Sequence, residues 1–214
     1  MSTSSIGAIL GTYVSLLLLL IVLASVGSIV TYIIIVVANR AEPDPTGHRT
    51  SAIYHTGTAF VALWLEIAGV ITIFVTLFNL IGTSNTMSLS SSIHPLGDST
   101  IRGLTIGLLL SIVGGYTALT HRAKAIELAN SDEVVASPSR RIVRSYAAVV
   151  SFISVIVVVV TVLAVVWAVL GLMAPGVYET GSRTNDLRLL LDEATVVAVF
   201  AWVFSTHRRL VGAR

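Results

Sequence analysis

Cysteine is absent from this 214-residue chain, which excludes disulfides, thiolate metal sites and cysteine nucleophiles and leaves the redox compartment open. Charge is scarce. Only 11% of the residues are Asp, Glu, Lys or Arg, against roughly 25% in an ordinary soluble domain. Lys124 is the only lysine, so the formal net charge of +2 rests on arginine. So few charges cannot cover a soluble surface, and no basic run reaches the length that a nucleic-acid binder relying on a charged face needs. Disorder is excluded from the other side, because 55% of the residues are hydrophobic and the mean hydropathy is +0.91. A Gly-rich phosphate loop, His-Glu-x-x-His and Gly-x-Ser-x-Gly are all lacking. Composition leaves a membrane protein.

What is present is a series of long apolar runs. A helix needs about 20 mostly apolar residues to cross the hydrocarbon layer. Five segments meet this: Ile6–Val37, Ala52–Ile81, Thr100–Thr120, Tyr146–Leu172 and Leu187–Thr206. The expected fold is therefore all-α, a polytopic bundle of five transmembrane helices. The run from Ile6 to Val37 is too long for a signal peptide and precedes the first charge, Arg40, so it reads as a retained helix. The fifth span is short of apolar residues, because Asp192 and Glu193 must lie at the outer interface or be sheltered by other helices. Lys and Arg bias fixes the expected orientation. Ten of the thirteen basic residues fall on one side, and Arg102, Arg183 and Arg188 on the other. That places the chain in a bacterial plasma membrane, the inner membrane of a two-membrane cell, with its N-terminus outside and its C-terminus cytoplasmic. The loops agree: Thr83–Thr100 is rich in Ser and Thr, while Ala123–Ser139 starts as a helical extension and breaks at Ser137-Pro138.

The most specific feature is an internal repeat. Residues 101–122 align without gaps to 187–208, matching Arg102 with Arg188, Leu104 with Leu190, Val113 with Val199, Thr120 with Thr206, His121 with His207 and Arg122 with Arg208. Tyr116 and Trp202 are a conservative pair, and Tyr54 and Tyr146 open the preceding spans at similar places once a small gap is allowed. The unit is a helix hairpin, running inward-to-outward and back, so the two copies are parallel. Inverted repeats, frequent in secondary transporters, would need an odd number of helices per unit. The implied organisation is an N-terminal helix and loop (1–50), a first hairpin (51–128), a linker (129–145) and a second hairpin (146–214). A helix pair with an opening Tyr, an outer Arg and a closing aromatic-x-x-x-Thr-His-Arg resembles an uncharacterised bacterial membrane domain of unknown function that often occurs in tandem. Two copies would cover about residues 54–210. The family closes with aromatics around His-Arg, whereas this chain has Thr before each His. The resemblance implies a tandem helix-pair architecture and no activity.

Lipid is as apolar as leucine, so membrane helices associate through small residues and polar contacts. Gly103, Gly107, Ser111 and Gly115 recur every fourth residue in the third span, with Gly114 and Ala118 beside them. Gly7, Gly11 and Ser15 repeat the pattern in the first span, and Ala194, Ala198, Ala201 and Ser205 occupy a narrow arc of the fifth. These are expected helix-packing faces, and the first span, outside the repeat, is the one best suited to a homo-oligomer or partner seam.

Few residues are candidates for chemistry. Glu66 is the deepest acid, and an uncompensated charge at a helix centre costs about 2.5–3.5 kcal/mol on insertion scales, so it must face polar groups or be protonated. Thr58, Thr72, Thr76 and Asn79 share its side of the span. Arg188 and Asp192, four residues apart, are expected to form an intrahelical ion pair, while Glu193 points elsewhere. Glu66 with Asp192, Glu193 and Arg188 makes a candidate ion or proton relay. His121 and His207, equivalent in the repeat, are in outline a pair of axial ligands for a b-type haem, although interfacial anchoring beside Arg explains them more simply. Arg140, Arg141 and Arg144 suit anionic lipid headgroups. With extensive packing faces and no catalytic constellation, the leading expectation is a non-catalytic membrane scaffold or accessory subunit of a larger complex, not an enzyme. A small transporter or proton conductor using Glu66 is the alternative, and a b-haem redox protein the second.

Overall fold

The computed structural model describes residues 47–81, 98–131, 137–174 and 183–212, with Asp98, Ser99 and Gly212 placed by backbone alone, plus a broken series of positions between 26 and 44. Gly7, Gly11, Ser15 and the outer segment 83–97 lie outside the described residues. The fold is all-helical, with four long helices: α1 (His48–Phe78), α2 (Asp98–Ser131), α3 (Pro138–Met173) and α4 (Arg183–Gly212). Among positions 26–37, those described are helical as well. Three of the described helices, His48–Phe78, Thr100–Ser131 and Pro138–Met173, are long and apolar enough to cross a membrane. The last helix differs from these in carrying Asp186, Arg188, Asp192 and Glu193 in its first three turns.

The helices pair as two antiparallel hairpins, α1 with α2 and α3 with α4. Along the first hairpin, Gly103 meets Thr76, Gly107 meets Ile73, Gly114 meets Glu66, and His121 meets His55. Along the second, the Asp186 carboxylate lies over Gly171 at one end, and the His207 ring meets Tyr146 at the other. The hairpins are tied together at both ends. Arg188 of α4 reaches the Ile81 carbonyl just past α1, and Arg140 of α3 donates through Nε to the Ala129 carbonyl of α2 at 2.7 Å. One end of the bundle, where α1 and α3 begin and α2 and α4 end, holds most of the arginines and is called the basic end below. The other is the distal end.

The core lies where α3 meets the other helices. Tyr146, Ala147, Val150, Ile153 and Val157 of α3 pack with Ala59, Ala62, Leu63 and Ile67 of α1, Ala118 of α2, and Phe200 and Val203 of α4. Alanine on the α1 side lets the backbones approach closely, which is how helices gain packing energy when lipid already solvates their side chains. The outward faces are apolar: Val61, Ile106, Leu109, Ile112, Val159 and Leu163 are all exposed. That inversion of the soluble pattern suits hydrocarbon as the surrounding solvent.

Helix α2 runs on to Ser131, and Ser137-Pro138 starts α3 rather than only ending a helix. Ser137 is the N-cap, its hydroxyl accepting from the Arg140 N–H at 3.4 Å, and Pro138 occupies the first turn, where its missing N–H costs nothing. At 36 residues α3 is about 54 Å long, well over the roughly 30 Å of a hydrocarbon core. Its basic first turns therefore project beyond the apolar run. Hydroxyls inside the helices mostly close on their own backbones: Thr56, Thr72, Thr76, Ser154 and Thr195 each donate to the carbonyl four residues earlier.

Candidate functional site

Among the described glycines, those at the crossing of α1 and α2 sit closest to the backbone of a neighbouring helix. A methyl group built on Gly114 would fall 2.5 Å from the Glu66 amide nitrogen and 2.8 Å from the Ala62 carbonyl oxygen. One on Gly69 would fall 2.6 Å from Ser111 Oγ and 2.7 Å from the Gly107 carbonyl oxygen, besides striking the Ser111 amide nitrogen. Gly103 and Gly107 face Thr76 and Ile73. The close contacts thus follow positions 103, 107, 111 and 114. At 3.6 residues per turn, a step of eleven residues returns to nearly the same side of a helix, whereas three steps of four drift away from it. Gly115 accordingly lies beside the seam, under the Glu66 carboxylate, with a methyl there 3.3 Å from Oε1. Gly69 and Gly114 are the seam residues that the four-residue spacing did not single out.

Glu66 is half-buried, and its carboxylate takes no hydrogen bond or ion pair among the described residues. The threonines on its side of α1 offer it nothing directly, since Thr72 and Thr76 donate to Ala68 and Thr72 carbonyls at 2.7 and 2.6 Å. Its charged neighbour is Arg122, about two turns further along α2, which also acts electrostatically on Tyr146 and His207. Each of the four helices therefore contributes one ionisable group to the same half of the bundle: Glu66, Arg122, Tyr146 and His207.

The basic end shows how the repeat is built. In each hairpin, the tyrosine near the opening meets the closing histidine edge-on: Tyr54 and His121 at 5.5 Å and 64°, Tyr146 and His207 at 5.5 Å and 67°. The two copies use that arrangement differently. His207 is 1% exposed and Tyr146 2%. The Val203 carbonyl can only accept, so His207 Nδ1 carries the proton that spans their 2.8 Å contact. With the ring neutral, Nε2 then accepts from the Tyr146 hydroxyl at 3.1 Å. In the first hairpin Tyr54 faces outward, and His121 Nδ1 lies 3.0 Å from His55 Nδ1, one ring donating and the other accepting. The repeat-equivalent histidines thus engage separate partners, and both nitrogens of His207 are used within the bundle. That arrangement does not fit joint axial ligation of a haem. No group of three or more His, Asp or Glu side chains suited to a metal occurs among the described residues. Next to this cluster, the Tyr32 hydroxyl donates to Thr56 Oγ1 at 2.6 Å, the Thr56 proton being given to the Ala52 carbonyl, and the ring stacks on Phe60, fastening the N-terminal helical stretch to α1.

At the distal end, Arg188 does not pair with Asp192. Its Nε and Nη2 both converge on the Ile81 carbonyl, with Nε at 2.7 Å, satisfying backbone that the end of α1 leaves open. The cross-hairpin carbonyl offers the guanidinium two donors' worth of contact, while the carboxylate one turn away is left with a buried Oδ1 that has no partner. Asp186 lies within the first turn of α4, 3% exposed, its carboxylate against Gly171 and Oδ1 unpartnered. Glu193 lies close enough to Asp192 to interact with it electrostatically. Glu66 and the Arg188–Asp192–Glu193 group are at different levels of the bundle, so the structure separates the candidate relay into two places. The chain matches no protein-family model, no curated protein and no solved structure.

Proposed function

We propose that the chain is an integral protein of a bacterial plasma membrane with five crossings, N-terminus outside and C-terminus cytoplasmic, acting as a non-catalytic scaffold or accessory subunit. Helix α4 lies along α3, the most apolar helix, from Asp186 at Gly171 to His207 at Tyr146. A fourth helix fastened at both ends to a spanning one is supported as a further crossing. The observation that carries the subunit reading is the outward face of α4. Ala194, Ala198 and Ala201 share one arc of the helix, and all three are exposed rather than buried against the chain's own helices. Small residues in line let another membrane helix approach closely, as those of α2 do for α1.

Purification in mild detergent, with native mass and identification of co-migrating chains, tests this reading. A complex larger than the monomer is expected, and Ala198→Phe should reduce it to the monomer while leaving the helical content unchanged. A lone monomer with its own activity would overturn it.

A second reading, proton or ion conduction, is favoured by the convergence of Glu66, Arg122, Tyr146 and His207. Reconstituted in liposomes, Glu66→Gln then abolishes flux; flux equal to the parent protein rules out the role.

A further inference from the structure

At the basic end α2, α3 and α4 line a half-open cavity of about 330 Å3 that includes Arg140 and Arg144, two of the arginines suited by sequence to anionic headgroups. Its polar side is formed by Asn130 of α2 and by Arg140 and Arg144, one turn apart on α3; its apolar side by Ile126, Val143 and Leu210. The Nε bond from Arg140 to the Ala129 carbonyl holds that side chain against the end of α2. Glu127, on the same stretch of α2, is turned to Lys124 at 2.8 Å.

We propose that this cavity binds a phosphate anion between Arg140 and Arg144, in the form of an anionic lipid headgroup. Guanidinium groups present a planar fork that matches phosphate oxygens, which a diffuse surface charge does not. The volume lies at the lower limit for small-molecule sites, enough for a headgroup and not for a whole lipid. The wall of Ile126, Val143 and Leu210 is poorly suited to a fully hydrated ion and well suited to the glycerol and first methylenes of a lipid. Helices α2 and α3 both extend past their apolar runs here, which sets the cavity at headgroup level. This last point rests on the membrane-spanning reading above.

The test uses the full chain. In phosphatidylcholine nanodiscs containing graded phosphatidylglycerol, the lipid retained after transfer to uncharged detergent is measured by native mass spectrometry. Preferential retention of phosphatidylglycerol is expected. Arg144→Gln should weaken it about fivefold, the worth of one basic side chain at an anionic surface. Arg144→Lys should fall between, and Arg209→Gln, basic at the same end but outside the cavity, should match the parent. A second arm adds inorganic phosphate in detergent at constant ionic strength. Thermal stabilisation that depends on Arg144 there, without lipid selectivity, identifies free phosphate as the source. Equal losses in Arg144→Gln and Arg209→Gln, or no response to either probe, overturn the proposal. Release of the protein from membranes by alkaline carbonate would instead overturn the spanning reading and leave the phosphate arm readable.

Discussion

Replacing Gly114 by alanine tests the crossing of α1 and α2 directly. The added methyl would meet the Glu66 amide nitrogen at 2.5 Å and the Ala62 carbonyl oxygen at 2.8 Å, both backbone atoms of a helix that cannot fold aside. Ordinary contacts are about 3.5 Å or more, so the helices must separate by roughly 1 Å. Separation there also loosens the contacts at Gly69 and Gly107 along the same seam. Forcing a methylene into a well-packed interface costs about 1–3 kcal/mol, while alanine in a helix regains up to about 1 kcal/mol over glycine. Gly57, in the same pair of helices, has nothing within 4 Å of the corresponding methyl position. Gly57→Ala should therefore be neutral or slightly stabilising, and Gly114→Ala destabilising by about 1–2 kcal/mol net. Reversible unfolding of the detergent-solubilised protein by graded addition of sodium dodecyl sulfate, followed by circular dichroism, measures both. Gly69→Ala should resemble Gly114→Ala. Gly103→Ala should cost less, because its nearest neighbours are side-chain atoms of Thr76. If Gly114→Ala and Gly57→Ala unfold alike, the crossing is not as close as the structure places it, and the argument fails.

The remaining predictions concern the ends of the bundle. Tyr146→Phe leaves His207 Nε2 buried without its partner and should cost about 1–3 kcal/mol in the same assay, whereas Tyr54→Phe, on an exposed ring, should change little; equal effects would contradict the asymmetry of the repeats. Arg188→Lys keeps the charge but replaces a two-donor fork by one ammonium, so it should lose part of the tie to Ile81, with Arg188→Ala losing more, and faster amide exchange near the end of α1 is the signature. Gly171→Ala places a methyl 3.2 Å from the Asp186 carboxylate and should displace the first turn of α4, read as increased proteolysis between α3 and α4. An unchanged digestion pattern would mean that the turn is not held there.

The sequence by itself determined the class of this protein. With 11% charged residues and long apolar runs, only lipid can solvate most of the chain, and the helical period then follows from the need to satisfy every backbone group internally. It also carried the repeat signal, since Arg and Thr-His-Arg recur in register at an offset of 86 whatever the packing, with the opening tyrosines displaced by a small gap. Tertiary structure alone decided which small residues meet. A four-residue count picks out Gly115, but the geometry of the helix turns Gly114 into the contact, against the Glu66 and Ala62 backbone of the facing helix. Arg188 likewise has an acid at the right spacing, yet a carbonyl from the other hairpin competes for it successfully, and that carbonyl lies 107 residues away. The two equivalent histidines show the same limit. Identical neighbours in sequence become a buried, doubly bonded ring in one copy and a half-buried imidazole pair in the other, because the tyrosine that meets the histidine is enclosed in the core in one hairpin and exposed in the other. Local pattern sets what each helix is; which face is enclosed depends on atoms far away in the chain.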